Sequence, residues 1–295
     1  RLPQHRRRAP RRLDWAAMHV HRRTADVDGR TRRYLVIAPE NPGPHPDLLL
    51  FFHGSLQSGN VMRRFTNGTF DELANATNTV LVYPDGVDRH FNDCRSILPV
   101  TARAENVDDV AFTAFLTEEM RREFGTDRTF ACGYSNGGQM VLRLLFDAPF
   151  NLNRACIFAS TLGEGDNHAP SNPADYRPTP LLFFHGTADP YAPYEGGIAG
   201  LDAERTRGRV LSAPATAEHF ALANGCQPPR DYHPTADVTA TAYDGDFPVE
   251  LWTMEGLGHV IPSSMKTDPR IGPNTDSFRA VDKVREFFGL DDTQA

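Results

Sequence analysis

The chain has 295 residues, 40% of them hydrophobic and 23% charged, with a formal net charge of −7. That balance fits a globular protein with a sizeable core and excludes a disordered chain. The longest apolar runs, such as Leu48–Phe52 and Leu181–Phe184, fall far short of the roughly 20 residues a membrane-spanning helix needs.

The chain opens on Arg1 rather than Met, which reads as a trimmed or processed start. Residues 1–33 hold eleven arginines against Asp14, Asp26 and Asp28, leaving twenty basic against thirty-five acidic residues in the remainder. An acidic body repels nucleic acid. The run Arg6-Arg7-Arg8 with Arg11-Arg12 therefore reads as a solvated basic arm over residues 1–30, ahead of a single domain over 31–295. Strands are expected at Arg33–Ile37, Leu48–Phe52, Val80–Tyr83, Thr129–Cys132, Ala155–Ala159, Pro180–Phe184 and Val249–Met254. Several are continuously apolar, the pattern of parallel strands covered on both faces. Helical spacing of apolar residues appears in Val107–Phe124, Asn136–Phe146, Pro214–Ala223 and Ser277–Phe288. Strands alternating with helices imply an α/β fold, with a mostly parallel central sheet and helices on both faces. Residues 84–105 and 160–178 lack periodicity and are expected as long loops that shape a site. Cys132 and Cys156 sit in apolar strands as buried thiols, while Cys94 and Cys226 could pair or stay free. No cysteine or histidine spacing points to a metal site.

The sharpest chemical signal is Gly133-Tyr134-Ser135-Asn136-Gly137, between a strand and a helix. That is the context of a nucleophile elbow, in which a tight turn lifts the serine hydroxyl above the sheet. A serine hydroxyl is a weak nucleophile and needs a base oriented by an acid. In chain order the acid and then the histidine follow the serine. Asp189 lies just past a strand end in His185-Gly186-Thr187-Ala188-Asp189; Asp202, Asp244 and Asp246 are rivals placed less well. Of eleven histidines, only His259, in Gly256-Leu257-Gly258-His259, occupies a loop after the last strand. His53 and His185 share a His-Gly context and read as packing residues. The oxyanion requires preorganised N–H donors, expected from Asn136 and from Ser55, with Leu56 as second choice.

These segments resemble the α/β-hydrolase esterases related to polyhydroxybutyrate depolymerases, feruloyl esterases and acetylxylan esterases. The matching stretches are His53-Gly54-Ser55-Leu56-Gln57, Tyr83-Pro84-Asp85-Gly86, Asp108–Phe112, Gly133–Met140, His185–Asp189 with Pro193-Tyr194, and Gly258-His259. The resemblance spans about residues 30 to 290. It implies Ser135 as nucleophile, Asp189 as acid, His259 as base and N–H donors at Ser55 and Asn136, with no metal or cofactor. It leans toward a secreted or periplasmic compartment. The substrate cleft is expected to involve Leu56, Phe91, Tyr134, Tyr191 and Ile261. Ile261 stands where the family usually has tryptophan, and the loss of that ring would favour short aliphatic acyl groups over cinnamoyl ones. The expected activity is hydrolysis of small soluble carboxylic esters through an acyl-enzyme. The alternatives are a serine peptidase on the same fold, or a non-catalytic binding protein.

Overall fold

The computed structural model describes residues 19–290 except 171 and 264. The arginine run at 6–12 lies outside the described residues. In chain order the strands are β1 (His21–Val27), β2 (Arg30–Ile37), β3 (Asp47–Phe52), β4 (Thr79–Pro84), β5 (Thr129–Tyr134), β6 (Arg154–Phe158), β7 (Leu181–Gly186), β8 (Gly197–Gly200), β9 (Thr206–Val210), β10 (Arg230–Thr235), β11 (Val238–Tyr243) and β12 (Val249–Met254). The helices are α1 (Gly59–Phe65), α2 (Thr69–Ala76), α3 (Thr101–Ala104), α4 (Asp109–Phe124), α5 (Asn136–Asp147), α6 (Ala213–Ala223) and α7 (Ala280–Phe288). None of these helices is long and apolar enough to cross a membrane.

Ten strands form one sheet in the order β1-β2-β4-β3-β5-β6-β7-β12-β11-β10. The six from β4 to β12 are mutually parallel. Antiparallel strands extend the sheet at both edges. Strand alternation sends successive side chains to opposite faces, so each central strand feeds two cores. Leu49, Phe51, Leu81 and Tyr83 join one core with α2 and α7. Leu48, Leu50, Phe52, Val80 and Val82 join the other, with α4, α5 and α6. This double coverage explains why the central strands read as unbroken apolar runs.

β1 and β11, at and beside the two edges, escaped the sequence reading because they alternate. β1 is half-exposed at every other residue. Its turn to β2 is Asp28-Gly29, with φ values of 51° and 72°, the conformation a two-residue hairpin turn favours. The expected boundary at residue 30 therefore falls inside a hairpin, and residues 21–30 belong to the sheet rather than to an arm. All four cysteines are free; Cys132 and Cys156 sit opposite each other on β5 and β6.

Between β7 and α6 the chain makes a small separate hairpin, β8-β9. It is tied to the 160–178 loop by a bridge between Gly163 and Val210 and by Asn167, whose Nδ2 donates to the carbonyls of Arg207 and Arg209. The 84–105 loop is also fixed. Asp109 at the start of α4 accepts from the Asn92 N–H at 2.7 Å, and Asn136 accepts from the Phe91 N–H at 2.8 Å.

Candidate active site

Parallel strands all end at the same sheet edge, where loops from β3, β5, β7 and β12 converge. The β5–α5 turn is unusually tight. Ser135 has φ 54° and ψ −117°, a left-handed backbone that non-glycine residues seldom adopt. Its neighbours must be glycine for steric reasons. A Cβ on Gly133 would lie 2.2 Å from the Gly137 carbonyl oxygen, and one on Gly137 would lie 2.0 Å from the Phe52 carbonyl oxygen. The turn is held by the Ser135 N–H donating to Phe158 O at 2.9 Å and the Ser160 hydroxyl donating to Ser135 O at 2.6 Å.

The turn brings Ser135 Oγ to 2.8 Å from His259 Nε2. His259 Nδ1 lies 2.7 Å from Asp189 Oδ2. The other carboxylate oxygen, Oδ1, accepts from the N–H groups of Tyr191 and Ala192 at 2.9 and 2.8 Å. Burial would raise the Asp189 carboxyl, but His259, His185 and the Ala192 N–H together hold it below the ordinary aspartate value. The carboxylate is therefore kept ionised to fix the imidazole. Tyr134 donates its hydroxyl to the His259 carbonyl at 2.6 Å, and Tyr191 packs edge-on against the imidazole. The rival acids stand elsewhere: Asp202 pairs with Arg205 and Asp244 with Arg230, both at exposed positions.

The two other His-Gly histidines differ. His53 is fully buried; it accepts from the Gly86 N–H at Nε2, and its Nδ1 faces the Gly54 carbonyl. Burial lowers its pKa to about 4, so it is neutral at pH 7. His185 is also buried. It contacts the Ala192 carbonyl at 2.7 Å and lies 3.6 Å from Asp189 Oδ2. It thus braces the acid, a closer part than plain loop packing.

Among the described residues the N–H groups of Ser55 and Asn136 have no acceptor, whereas the Leu56 N–H is already given to Arg89 O at 3.1 Å. That favours Ser55 over Leu56 as a free donor. Asn136 N–H also sits at the positive end of α5. The Asn136 side chain is fixed by Phe91 and by Asp93, to which its Nδ2 donates at 2.8 Å.

Ser135 and His259 open onto a cleft of about 520 Å³. Of the expected cleft residues, Leu56, Tyr134 and Tyr191 line it; Phe91 and Ile261 do not. Phe91 is fully buried, wedged between Phe52 and His53. Ile261 is 1% exposed and belongs to the core that includes α7, because the loop after His259 turns inward rather than over the cleft. The acyl preference expected from Ile261 therefore loses its basis. The 84–105 and 160–178 loops do shape the cleft, as expected, through Arg95 and through Ser160 and Thr161; the sequence reading named none of these residues and missed the β8–β9 hairpin, which completes the far wall with Arg205, Arg207 and Val210. Gln139 Oε1 and Thr161 Oγ1, both at this wall, are buried without a hydrogen-bond partner among the described residues. No local motif marks these residues; the fold gathers them from distant segments.

No family model matches the chain. It is 30% identical over 260 residues to a protein named as an esterase, NocK, from Nocardia uniformis subsp. tsuyamanensis, covering 80% of this chain and 72% of the relative. It is 28% identical over 168 residues to a protein of Oryza sativa subsp. japonica named as a carboxylesterase, covering 52% and 71% of the two chains. Among solved structures, an acetyl xylan esterase from Aspergillus awamori superposes with a TM-score of 0.64 at 16% identity, over 92% of this chain and all of that one; at this identity the likeness speaks to the fold alone. With this mostly parallel sheet and a relative that shares sequence over most of both chains, the protein belongs to the esterases of the α/β-hydrolase fold and is a carboxylic ester hydrolase.

Proposed function

We propose that the enzyme hydrolyses small soluble carboxylic esters by two acyl transfers at Ser135. The observation that carries this reading is the series Ser135 Oγ, His259 Nε2, His259 Nδ1 and Asp189 Oδ2, joined at 2.8 and 2.7 Å. Ser135 Oγ attacks the ester carbonyl carbon while His259 Nε2 takes the hydroxyl proton. The carbonyl oxygen becomes an oxyanion facing the N–H groups of Ser55 and Asn136. Collapse breaks the bond to the alcohol, which leaves with the proton held by His259. Water, deprotonated by His259, then attacks the acyl-serine carbonyl, and the acid departs as Ser135 is restored. Asp189 keeps the imidazole oriented and stabilises its charged form throughout.

A cleft of about 520 Å³ is in the usual range for small-molecule sites, roughly 300–1,000 Å³. It supports esters of modest size as substrates. The test is turnover of p-nitrophenyl acetate and butyrate beside a peptide p-nitroanilide. Hydrolysis of the esters with no release from the anilide is expected. Faster release from the anilide would replace the esterase reading with a peptidase.

A further inference from the structure

The body of the protein is acidic, yet its cleft is not. Arg64, Arg95, Arg205, Arg207, Lys266 and Arg270 line it, against Asp268 alone among carboxylates. Two of the outer cations are paired at exposed positions: Arg205 with Asp202 and Arg270 with Asp268. The inner pair is different. Arg95 and Arg207 are each 7% exposed. Arg95 is bound through Nε and Nη2 to Asp93 at 3.3 and 2.5 Å. Asp93 also accepts from the Arg95 N–H and from Asn136 Nδ2, so its two oxygens are fully engaged.

Arg207 has no carboxylate in ion-pair contact among the described residues. Its Nη1 donates to the Arg205 and Thr206 carbonyls at 3.1 and 3.5 Å, and its Nε and Nη2 have no acceptor there. Burial and the nearby Arg95 lower its pKa to about 10, against the opposing influence of Asp93, so the guanidinium is charged at pH 7. The trio Arg95, Asp93 and Arg207 thus carries one net positive charge in a largely water-excluded wall. A buried cation without a counterion is costly. Thr161 adds a hydroxyl with no partner at the same wall.

Building on the proposed esterase reading, we infer that Arg207, with Arg95 and Thr161, forms an anion subsite, and that the preferred substrates are esters carrying a carboxylate. A carboxylate matches the two free N–H groups of the guanidinium edge. Neutral acyl chains leave that charge unpaired in the bound complex, which gives the discrimination.

The probes are mono-p-nitrophenyl adipate against p-nitrophenyl hexanoate, with the charge on the acyl side, and 4-acetoxybenzoate against its methyl ester, with the charge on the alcohol side. The wild-type enzyme is expected to favour the anionic member of at least one pair by about tenfold or more in kcat/KM, mostly through KM. Arg207→Gln is expected to reduce that ratio about tenfold or more, and Arg207→Lys to recover part of it. Because each ratio is taken on one protein sample, partial loss of folded material leaves it unchanged. If the wild type favours neither anionic ester, or Arg207→Gln keeps the preference intact, the subsite is refuted. Labelling of Ser135 by a fluorophosphonate in the same samples separates the two readings. A labelled enzyme without anionic preference overturns the subsite alone, and an unlabelled one overturns the serine esterase reading and the subsite with it.

Discussion

A φ of 54° at Ser135 costs on the order of 1–3 kcal/mol for a residue with a side chain. The surrounding hydrogen bonds and the flanking glycines make that conformation the one the turn can adopt. In return the hydroxyl stands clear of the sheet, within reach of His259. Asp189→Asn removes the charge that orients the imidazole, and a loss of about 10⁴ in kcat is expected. His259→Ala is expected to lose about as much as Ser135→Ala, and the double variant little more than either, because the three side chains act as a unit in the proposed reaction. Full activity of Asp189→Asn, with loss on Asp202→Asn, would move the acid to Asp202. His53 supports a different prediction. Its folded pKa is about 4 against the ordinary 6.5. Between those values the unfolded chain binds a proton that the folded chain excludes, so stability falls as pH drops from about 6.5 toward 4, by up to about 3 kcal/mol from this residue. Tm measured over that range should fall less steeply for His53→Asn than for the wild type. Parallel slopes would show that His53 does not carry the effect.

At the scale of elements, the sequence made the central strands and the elbow legible and the periphery less so. β3 to β7 and β12 announce themselves as apolar runs because helices cover both faces. β1 and β11 alternate and β10 is polar, exposed and interrupted by Pro234, so their signal is weaker at and beside the edges, although Asp28-Gly29 is a hairpin signature. Asp189 and His259 could be placed because strand ends in this fold project to one edge. Ile261 and Phe91 could not, since whether a loop turns inward or over a cleft depends on contacts between distant segments. Gly137→Ala tests the packing that fixes the elbow. Its methyl would sit 2.0 Å from the Phe52 carbonyl oxygen, where backbone cannot yield without displacing β3. A destabilisation of at least about 2 kcal/mol is expected in urea unfolding, together with loss of ester turnover. A variant as stable and as active as the wild type would show that the turn is not held by this contact.

Across the whole molecule, the sheet links remote charges to the cleft. Arg32 on β2 pairs with Asp109 at 2.6 Å, both almost fully buried, and stacks over Phe112. Asp109 also holds the Asn92 N–H, and the loop it fixes carries Phe91 and Asp93, which hold Asn136. Arg32→Leu would leave Asp109 buried without its cation, at a cost of about 3–5 kcal/mol, and the loosened loop should lower kcat more than it raises KM. A KM effect alone would break the proposed link to Asn136. No stretch of sequence displays this chain of contacts, because its members lie on β2, the 84–105 loop, α4 and α5. In the proposed reaction Ser135 Oγ is the attacking atom, and covalent labelling reports on it. A fluorophosphonate added to the folded enzyme should modify it once, at Ser135 by peptide mapping, and abolish p-nitrophenyl acetate turnover in proportion; Ser135→Ala should take up none and lose about 10⁴–10⁶ in turnover. Modification at another serine, or a Ser135→Ala variant within tenfold of wild-type activity, would place the nucleophile elsewhere.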